Sequence, residues 1–414
     1  MGSGVDYDNG RMIPPVRRFL SPCVLALSLG GTAAADESVV SSLVSGTTLS
    51  GAVDTSAQWK PGSGSTMATR GANTAPSHYN GFNLEFLELR LEKPLDDAGW
   101  SSGYKVEMWY GQDADWLPGA LAPNLAVKQA YVSLRAPVGN GLDFKVGQFD
   151  AIIGYEYLAP YVNPNFSRSL GNWIEPFSHT GALATYEAAS WITLTGGAAN
   201  SAYGVMNTKQ PWSYLPTYGV GQLPTGPYPK GNGTLTYMGL VTLKAPESWG
   251  FLSGGTLTGG IVEGGATGRQ GSINYYAGIT VRTPIPEVTL GFAYDYNAHA
   301  WDDATFNNTW AQALAGYASW QIVKDLKLNV RVEYADSSRT STGVWIMPLP
   351  GEADGYGVGS PERLFAVTGT LEYALWANVV SRLEVLWDRD LRRDNAFNGN
   401  NNAVLLMAEI AYRF

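Results

Sequence analysis

The segment 150–181, DAIIGYEYLAPYVNPNFSRSLGNWIEPFSHTG, contains residue types that could act on a passing solute. Its carboxylate, guanidinium and imidazole side chains belong to Asp150, Glu156, Arg168, Glu175 and His179. Charges of both signs held close together attract ions and orient small polar molecules, as in the narrow part of a channel. Because the segment also has apolar residues to bury and little net charge, we predict that residues 150–180 fold inward and narrow a pore. An external cap or a contact between protomers is the alternative.

Catalysis is the competing chemistry for the same segment. A hydrolase needs a base beside its nucleophile, and His179 follows Ser178 directly. Adjacent residues on a strand point to opposite faces, so this pair would not form a dyad there. The chain has only three histidines, and we find no metal, phosphate-loop or cofactor motif. We therefore predict that the protein is not an enzyme, with no catalytic residue, no metal and no cofactor.

The elements that would position the segment are strands with one apolar and one polar face. Apolar and charged residues alternate in DLKLNVRVEYA (325–335), in NVVSRLEVLWDRD (378–390) and up to the terminal NAVLLMAEIAYRF. Strict period two over about ten residues is the mark of such a strand. The pattern predicts an all-β fold of about 16 strands, within a range of about 14–18. The weakest of these segments are 181–188 and 255–263.

The connectors between these strands alternate in length. Turns such as TPIP (283–286) are short, whereas 59–80 and 200–232 are long. Short turns on one side and long loops on the other are typical of bacterial outer-membrane barrels. A β-sandwich is the structural alternative, but it would not need aromatic residues near its strand ends. We predict a transmembrane antiparallel β-barrel with long extracellular loops and short periplasmic turns, closed by pairing of the last strand with the first.

One strand changes phase along its length. In NLEFLELRLEK (83–93), Leu84 and Phe86 share one face, whereas Leu87, Leu89 and Leu91 share the other. We predict a bulge near 86–87, because one extra residue would restore a continuous apolar face.

The inward phase of the later strands carries charges. These lumen-wall candidates are Lys327, Arg331, Glu333, Glu372, Arg382, Glu384 and Glu409. Charged side chains on this face are expected to meet a wet lumen, where they would tune ion selectivity. Arg331 and Arg382 lie on strands two positions apart, and carboxylates of segment 150–180 opposite them would set up a transverse field. Alternatively, the charges simply pair with one another across strands.

The sequence resembles a known family over part of its length. VGQFDAIIGYEYLAPYVNPNFSRSL, followed by EPFSHTG, resembles the OmpL-like β-barrel porins of Gram-negative outer membranes. The similarity is densest over 83–190, and over 200–400 it is only a general pattern of strands and loops. The resemblance implies passive passage of small hydrophilic solutes. It identifies no particular solute and assigns no role to Arg168 or Glu175.

The N-terminal residues 1–35 are typical of a secretory signal. Arg17 and Arg18 precede an apolar stretch, and Ala33 to Ala35 form a cleavage site of the A-x-A type. The segment before Met12 fits such a signal poorly, so Met12 is a candidate for the true start. Residues 36–414 would then form a single barrel.

The C-terminal strand ends with Tyr412 and Phe414 on its apolar face. A terminal aromatic on an amphipathic strand resembles the signal by which outer-membrane barrels are recognised for assembly. The expected partners are outer-membrane lipid and lipopolysaccharide, the barrel assembly machinery, and small hydrophilic solutes. The formal net charge of −9 argues against nucleic acid. A homotrimer is the candidate assembly.

Two other functions stay open at this stage. A structural or adhesive barrel would use the long loops 200–232 and 336–361 on the surface. An outer-membrane hydrolase is less favoured, for the reason given for Ser178 and His179. Conductance in a planar bilayer separates a porin from both.

Overall fold

The computed structural model of the 414-residue chain describes the residues 7–8, 11–12, 46–61, 80–97, 99–117, 120–202, 235–267, 270–300, 309–338, 363–392, 397 and 400–414. The predicted signal lies outside this part, except for the backbone of Tyr7–Asp8, which pairs with Arg11–Met12. Most of 200–232 and 336–361, which are predicted to be surface loops, also lies outside it. No helix among the described residues is long and apolar enough to cross a membrane.

Sixteen antiparallel strands form one closed barrel. In chain order they are β1 Thr48–Trp59, β2 Gly81–Lys93, β3 Ser101–Tyr110, β4 Leu125–Ala136, β5 Leu142–Asp150, β6 Ser178–Ala189, β7 Ile192–Ala199, β8 Thr236–Lys244, β9 Thr256–Thr267, β10 Gln270–Arg282, β11 Val288–Ala300, β12 Thr309–Val323, β13 Leu326–Ser337, β14 Arg363–Tyr373, β15 Val379–Asp390 and β16 Asn402–Arg413. A three-residue strand, Ala120–Ala122, pairs with β4 as an addition to the wall. The predicted barrel and its strand count are confirmed, including the two weakest segments, which are β6 and β9.

The barrel closes between its first and last strands. Ala408 lies opposite Ala57 and Arg413 opposite Ala52 in the register of β16 and β1. Phe414 and Gly51 then exchange two backbone hydrogen bonds, with N···O distances of 2.9 and 3.0 Å. Closure leaves no sheet edge, which a bilayer could not satisfy because lipid offers no hydrogen-bond partner.

Inward and outward residues alternate as the sequence pattern predicts. On β15, the side chain of Leu383 is 63% exposed, whereas its neighbour Arg382 is 5% exposed. On β13, Val332 is likewise exposed between the buried Arg331 and Glu333. The outward face is therefore apolar and suited to lipid, and the inward face carries the charges.

A bulge in β2 re-aims an aromatic ring. Asp54 of β1 lies opposite Phe86 and Thr55 lies opposite Leu84, so Glu85 is the extra residue. The bulge thus lies one or two residues before the predicted position near 86–87. With Glu85 turned inward, Leu84 and Leu89 both stay on the outer face, as expected of a bulge that restores it. Phe86 points into the barrel, where its ring stacks on Trp109 at a centroid distance of 4.1 Å.

Four of the short turns present an exposed tryptophan. They are Trp100, Trp191, Trp249 and Trp376, which lie between β2 and β3, β6 and β7, β8 and β9, and β14 and β15. Tryptophan is enriched at membrane interfaces because its ring is apolar and its N–H is polar. These side chains form a belt at the short-turn end of the barrel.

Candidate channel constriction

The connector 151–177 between β5 and β6, here called the inward loop, lies inside the barrel. It contains a short 3-10 turn, Pro160–Val162, and one helix, α1 (Leu170–Ile174). The hydroxyl of Ser169 begins α1 by accepting a hydrogen bond from the backbone N–H of Asn172 at 3.1 Å.

Apolar contacts hold the inward loop against the wall at three places. Ile152 and Ile153 pack on a cluster with members on β5 to β12. Tyr161 packs near Phe86 and Trp109. Phe166, Leu170 and Ile174 pack on a third cluster, formed largely by inward-facing Ala and Leu residues of β12 to β16. Small residues on the inward face leave room for the loop.

Arg331 of β13 is the centre of a buried polar network between the wall and the inward loop. Its guanidinium donates to Glu156 Oε1 at 2.9 Å and to Glu333 Oε2 at 2.8 Å. It also donates to Ser167 Oγ and to the carbonyl oxygen of Arg168, both at 3.0 Å. The guanidinium and both carboxylates are fully shielded from solvent. Such a charge stays ionised in the interior only because it is paired and hydrogen-bonded.

Carboxylates of the wall also accept hydrogen bonds from the backbone of the inward loop. Glu384 accepts from the N–H groups of Phe166 at 2.7 Å and Ser167 at 2.9 Å. Glu333 accepts from the N–H of Leu170 at 2.6 Å. These bonds satisfy N–H groups in a segment that has no sheet partner.

Glu156 is held by more than Arg331. Its second oxygen accepts from the N–H of Ser169 at 2.7 Å, and Tyr317 of β12 donates to its first oxygen at 3.0 Å. Glu156 is therefore fixed by both the loop and the wall.

A cross-strand row of alternating charge follows the wall near the short-turn end. Lys327, Glu372, Arg382 and Glu409 lie directly opposite one another on β13, β14, β15 and β16. Arg382 donates to Glu372 at 2.8 Å and to Glu409 at 3.1 Å. It also donates to the carbonyl oxygens of Pro160 and Asn163, at 2.9 and 2.7 Å. The row thus anchors the inward loop at a second point.

Apart from the carbonyl oxygen of Arg168, the remaining candidates of segment 150–180 have partners other than Arg331. Asp150, at the end of β5, pairs with Lys128 at 2.6 Å. His179 is buried on β6, with Nδ1 lying 3.2 Å from the carbonyl oxygen of Ser201. Glu175 is buried at the C-terminal end of α1. Arg168 is buried 3.6 Å from Asp113, and it also donates to the carbonyl oxygen of Leu158.

Two expectations about these charges are wrong in detail. Arg331, Glu333, Arg382, Glu384 and Glu409 are buried beneath the inward loop instead of facing open water. Glu156 touches Arg331 directly, so no gap with a transverse field separates them. The reason is that the loop approaches the wall closely enough to replace water as the hydrogen-bond partner. The alternative of cross-strand pairing holds for Arg382.

Several residues of the site were not singled out from the sequence. Tyr317 and Ser167 are neutral and contact Arg331 or its partner. Burial, together with the carboxylate of Glu88, raises the pKa of Tyr161 well above its ordinary value, so the phenol donates to Glu88. Lys128 lies 3.1 Å from Glu107 of β3. Glu88 and Glu107 lie at inward-facing positions of β2 and β3, so the alternation in these strands would have indicated them.

A cavity of about 370 Å³ lies beneath the inward loop, towards the short-turn end. The loop forms one side of it with Tyr155, Tyr157 and Tyr161, and strands β9 to β16 form the wall. Within the described part of the chain, no group of three or more His, Cys, Asp or Glu residues is arranged to hold a metal ion.

Comparison with solved structures places the fold among outer-membrane proteins. OprB of Pseudomonas putida has a TM-score of 0.57 at 10% identity, covering 91% of this chain and 96% of that one. The outer-membrane channel DcaP of Acinetobacter baumannii has a TM-score of 0.55 at 11% identity, covering 89% and 97%. The trimer form of OmpT of Vibrio cholerae has a TM-score of 0.54 at 12% identity, covering 89% and 99%.

Comparison with curated proteins finds no match. The family model described as putative beta-barrel porin-2, OmpL-like, matches residues 46–414, which include all sixteen strands. The chain belongs to this family of outer-membrane porins.

Proposed function

We propose that the protein is a porin for passive diffusion of small hydrophilic solutes and ions, and that the inward loop narrows its channel. The observation that carries the proposal is the seating of this loop inside a closed barrel, with Glu156 bonded to Arg331 of the wall. A sixteen-stranded barrel is wide enough to hold water. A loop fixed across its interior reduces the open cross-section, and that reduction sets the size of solute that passes.

The same proposal includes the outer membrane as the location of the protein, together with its partners there. The tryptophan belt and the exposed Tyr412 and Phe414 suit the lipid interface of the outer membrane. Lipopolysaccharide and the assembly machinery are the partners that such a barrel would meet, with Tyr412 and Phe414 as the assembly signal. A homotrimer is supported by the trimer form of the similar OmpT. Residues 1–35 would direct export.

Planar-bilayer recording tests the proposal. Purified protein added to one side is expected to give stepwise increases in conductance, each step being one inserted channel or one trimer. Heat-denatured protein in the same detergent is the control. Absence of conductance at every voltage, from protein whose folding is verified by circular dichroism, would refute the porin function and favour an adhesive barrel or a hydrolase.

A further inference from the structure

The cavity beneath the inward loop has two unlike walls. On β13 to β16 it is lined by charged residues, including Lys327, Glu372, Arg382 and Arg413. On β9 to β12 it is lined by hydroxyl and amide groups, including Thr256, Thr258, Thr289, Ser319 and Gln321. The volume of about 370 Å³ is within the range of small-molecule sites.

The cations of the charged wall differ in how many hydrogen-bond and ion-pair partners they have. Arg382 is held by Glu372, Glu409 and two loop carbonyl oxygens. Among the described residues, none forms an ion pair or a hydrogen bond with the side chain of Lys327 or Arg413, although both line the cavity. Both cations interact electrostatically with the carboxylate of Glu372, but their N–H groups form no hydrogen bond with the residues that the structure describes and are available to an anion. Glu287, the carboxylate of the opposite wall, lies exposed on the turn between β10 and β11.

The neutral wall and the inward loop define the rest of the solute. Threonine hydroxyls both donate and accept hydrogen bonds, so they suit hydroxyl groups of a solute. The Ser319 hydroxyl already donates to Asn329. The Gln321 amide nitrogen donates to the carbonyl oxygens of Val323 and Lys324. These two side chains therefore offer their oxygens as acceptors. The Tyr155, Tyr157 and Tyr161 side chains supply ring faces or edges on the loop side.

We propose that this cavity is a binding site for a small hydroxylated organic anion, whose carboxylate is held by Lys327 and Arg413. The inference rests on the proposed porin function, for which it names the solute class. Although the chain as a whole is acidic, with a net charge of −9, local charges at the narrow part of a path decide which ion is favoured there.

Gluconate is a suitable probe, because it combines one carboxylate with several hydroxyl groups, and glucose is its uncharged counterpart. We expect calorimetric titration of the detergent-solubilised protein to show gluconate binding, with weaker binding of glucose. The double variant Lys327→Gln/Arg413→Gln should raise the dissociation constant for gluconate about tenfold or more. The double variant Lys324→Gln/Arg282→Gln is the matched control, because it removes one Lys and one Arg from exposed positions on the same side, outside the cavity.

The outcomes separate this inference from the porin function. Wild-type protein that conducts but does not bind gluconate would overturn the inference and leave the porin function standing. Gluconate binding without conductance would support the site and refute the porin. Equal gluconate affinity in wild type and in Lys327→Gln/Arg413→Gln, with both folded by circular dichroism, would also overturn the inference. Weaker gluconate binding in Lys324→Gln/Arg282→Gln, with unchanged binding in Lys327→Gln/Arg413→Gln, would overturn it as well.

Discussion

Arg331 and Glu156 are 175 residues apart in the sequence, and their side chains form a fully buried ion pair of 2.9 Å. One belongs to the barrel wall and the other to the inward loop. The position of the loop therefore depends on a contact between two segments that are distant in the sequence.

Removing one partner of this ion pair should release the inward loop. Glu156→Gln leaves the Arg331 charge without its loop carboxylate, and breaking a buried pair costs about 3–5 kcal/mol. We expect a larger or noisier single-channel conductance and a lower midpoint of urea unfolding. Glu187→Gln is the control, because Glu187 is exposed on β6. Wild-type conductance and stability in Glu156→Gln would contradict the role of this ion pair in holding the inward loop.

Glu384 should protect the inward loop from proteolysis. Its carboxylate accepts hydrogen bonds from two loop N–H groups, so Glu384→Ala leaves these without partners. We expect trypsin to cleave after Arg168 in the variant, although Arg168 is buried in the wild type. Mass spectrometry of the digest identifies the site. Glu187→Ala should remain uncut at Arg168, and an uncut Glu384→Ala would show that the other polar and apolar contacts hold the loop without Glu384.

Phe86 should contribute to stability as an interior residue, despite its place in a wall strand. It is fully buried against Trp109, so Phe86→Ala should cost about 3–5 kcal/mol. Phe82, on the same strand, is 95% exposed, and Phe82→Ala should change the unfolding free energy by less than about 0.5 kcal/mol. Urea unfolding followed by tryptophan fluorescence measures both. Equal effects would mean that the bulge at Glu85 does not turn Phe86 inward.

Closure of the barrel should depend on the absence of a side chain at Gly51. A Cβ there would overlap the carbonyl oxygen of Glu88 and meet the ring of Phe414 at 2.8 Å. We expect Gly51→Ala to lower the fraction of protein that migrates as a folded barrel in unheated gels. Gly369→Ala on β14 is the control, because a Cβ at that position meets nothing within 4 Å. Equal folded fractions would show that the seam tolerates the added methyl group.

The barrel was predictable because its signal is local. Alternation is visible within each strand, and lipid outside with polar groups inside imposes it on every strand. The phase of Arg331 and Arg382 could be assigned for the same reason. Closure then follows from the need to satisfy every backbone group.

The contacts of the inward loop were not predictable in the same way. Glu384 accepts a hydrogen bond from the backbone N–H of Phe166, which is more than 200 residues away in the sequence. This contact depends on where the inward loop, whose backbone is irregular, lies relative to β15. The sequence indicates that the loop has apolar and charged groups, but it contains no period that sets their position. Phe86 shows the same limit, because shifting one bulge by one or two residues reverses the face of an aromatic ring.

The pairing of β16 with β1 also has a kinetic consequence. Thr55 donates from its hydroxyl to the carbonyl oxygen of Ile410, across 355 residues of chain. Neighbouring hairpins can form early, but the seam requires the most distant segments to meet, and contacts of such high sequence separation form slowly. Until they meet, β1 and β16 are both open edges that can pair with other chains. Pairing of β1 with β16 is therefore the folding step at which an unassisted chain would aggregate. It is also the step at which assistance from other proteins would matter most.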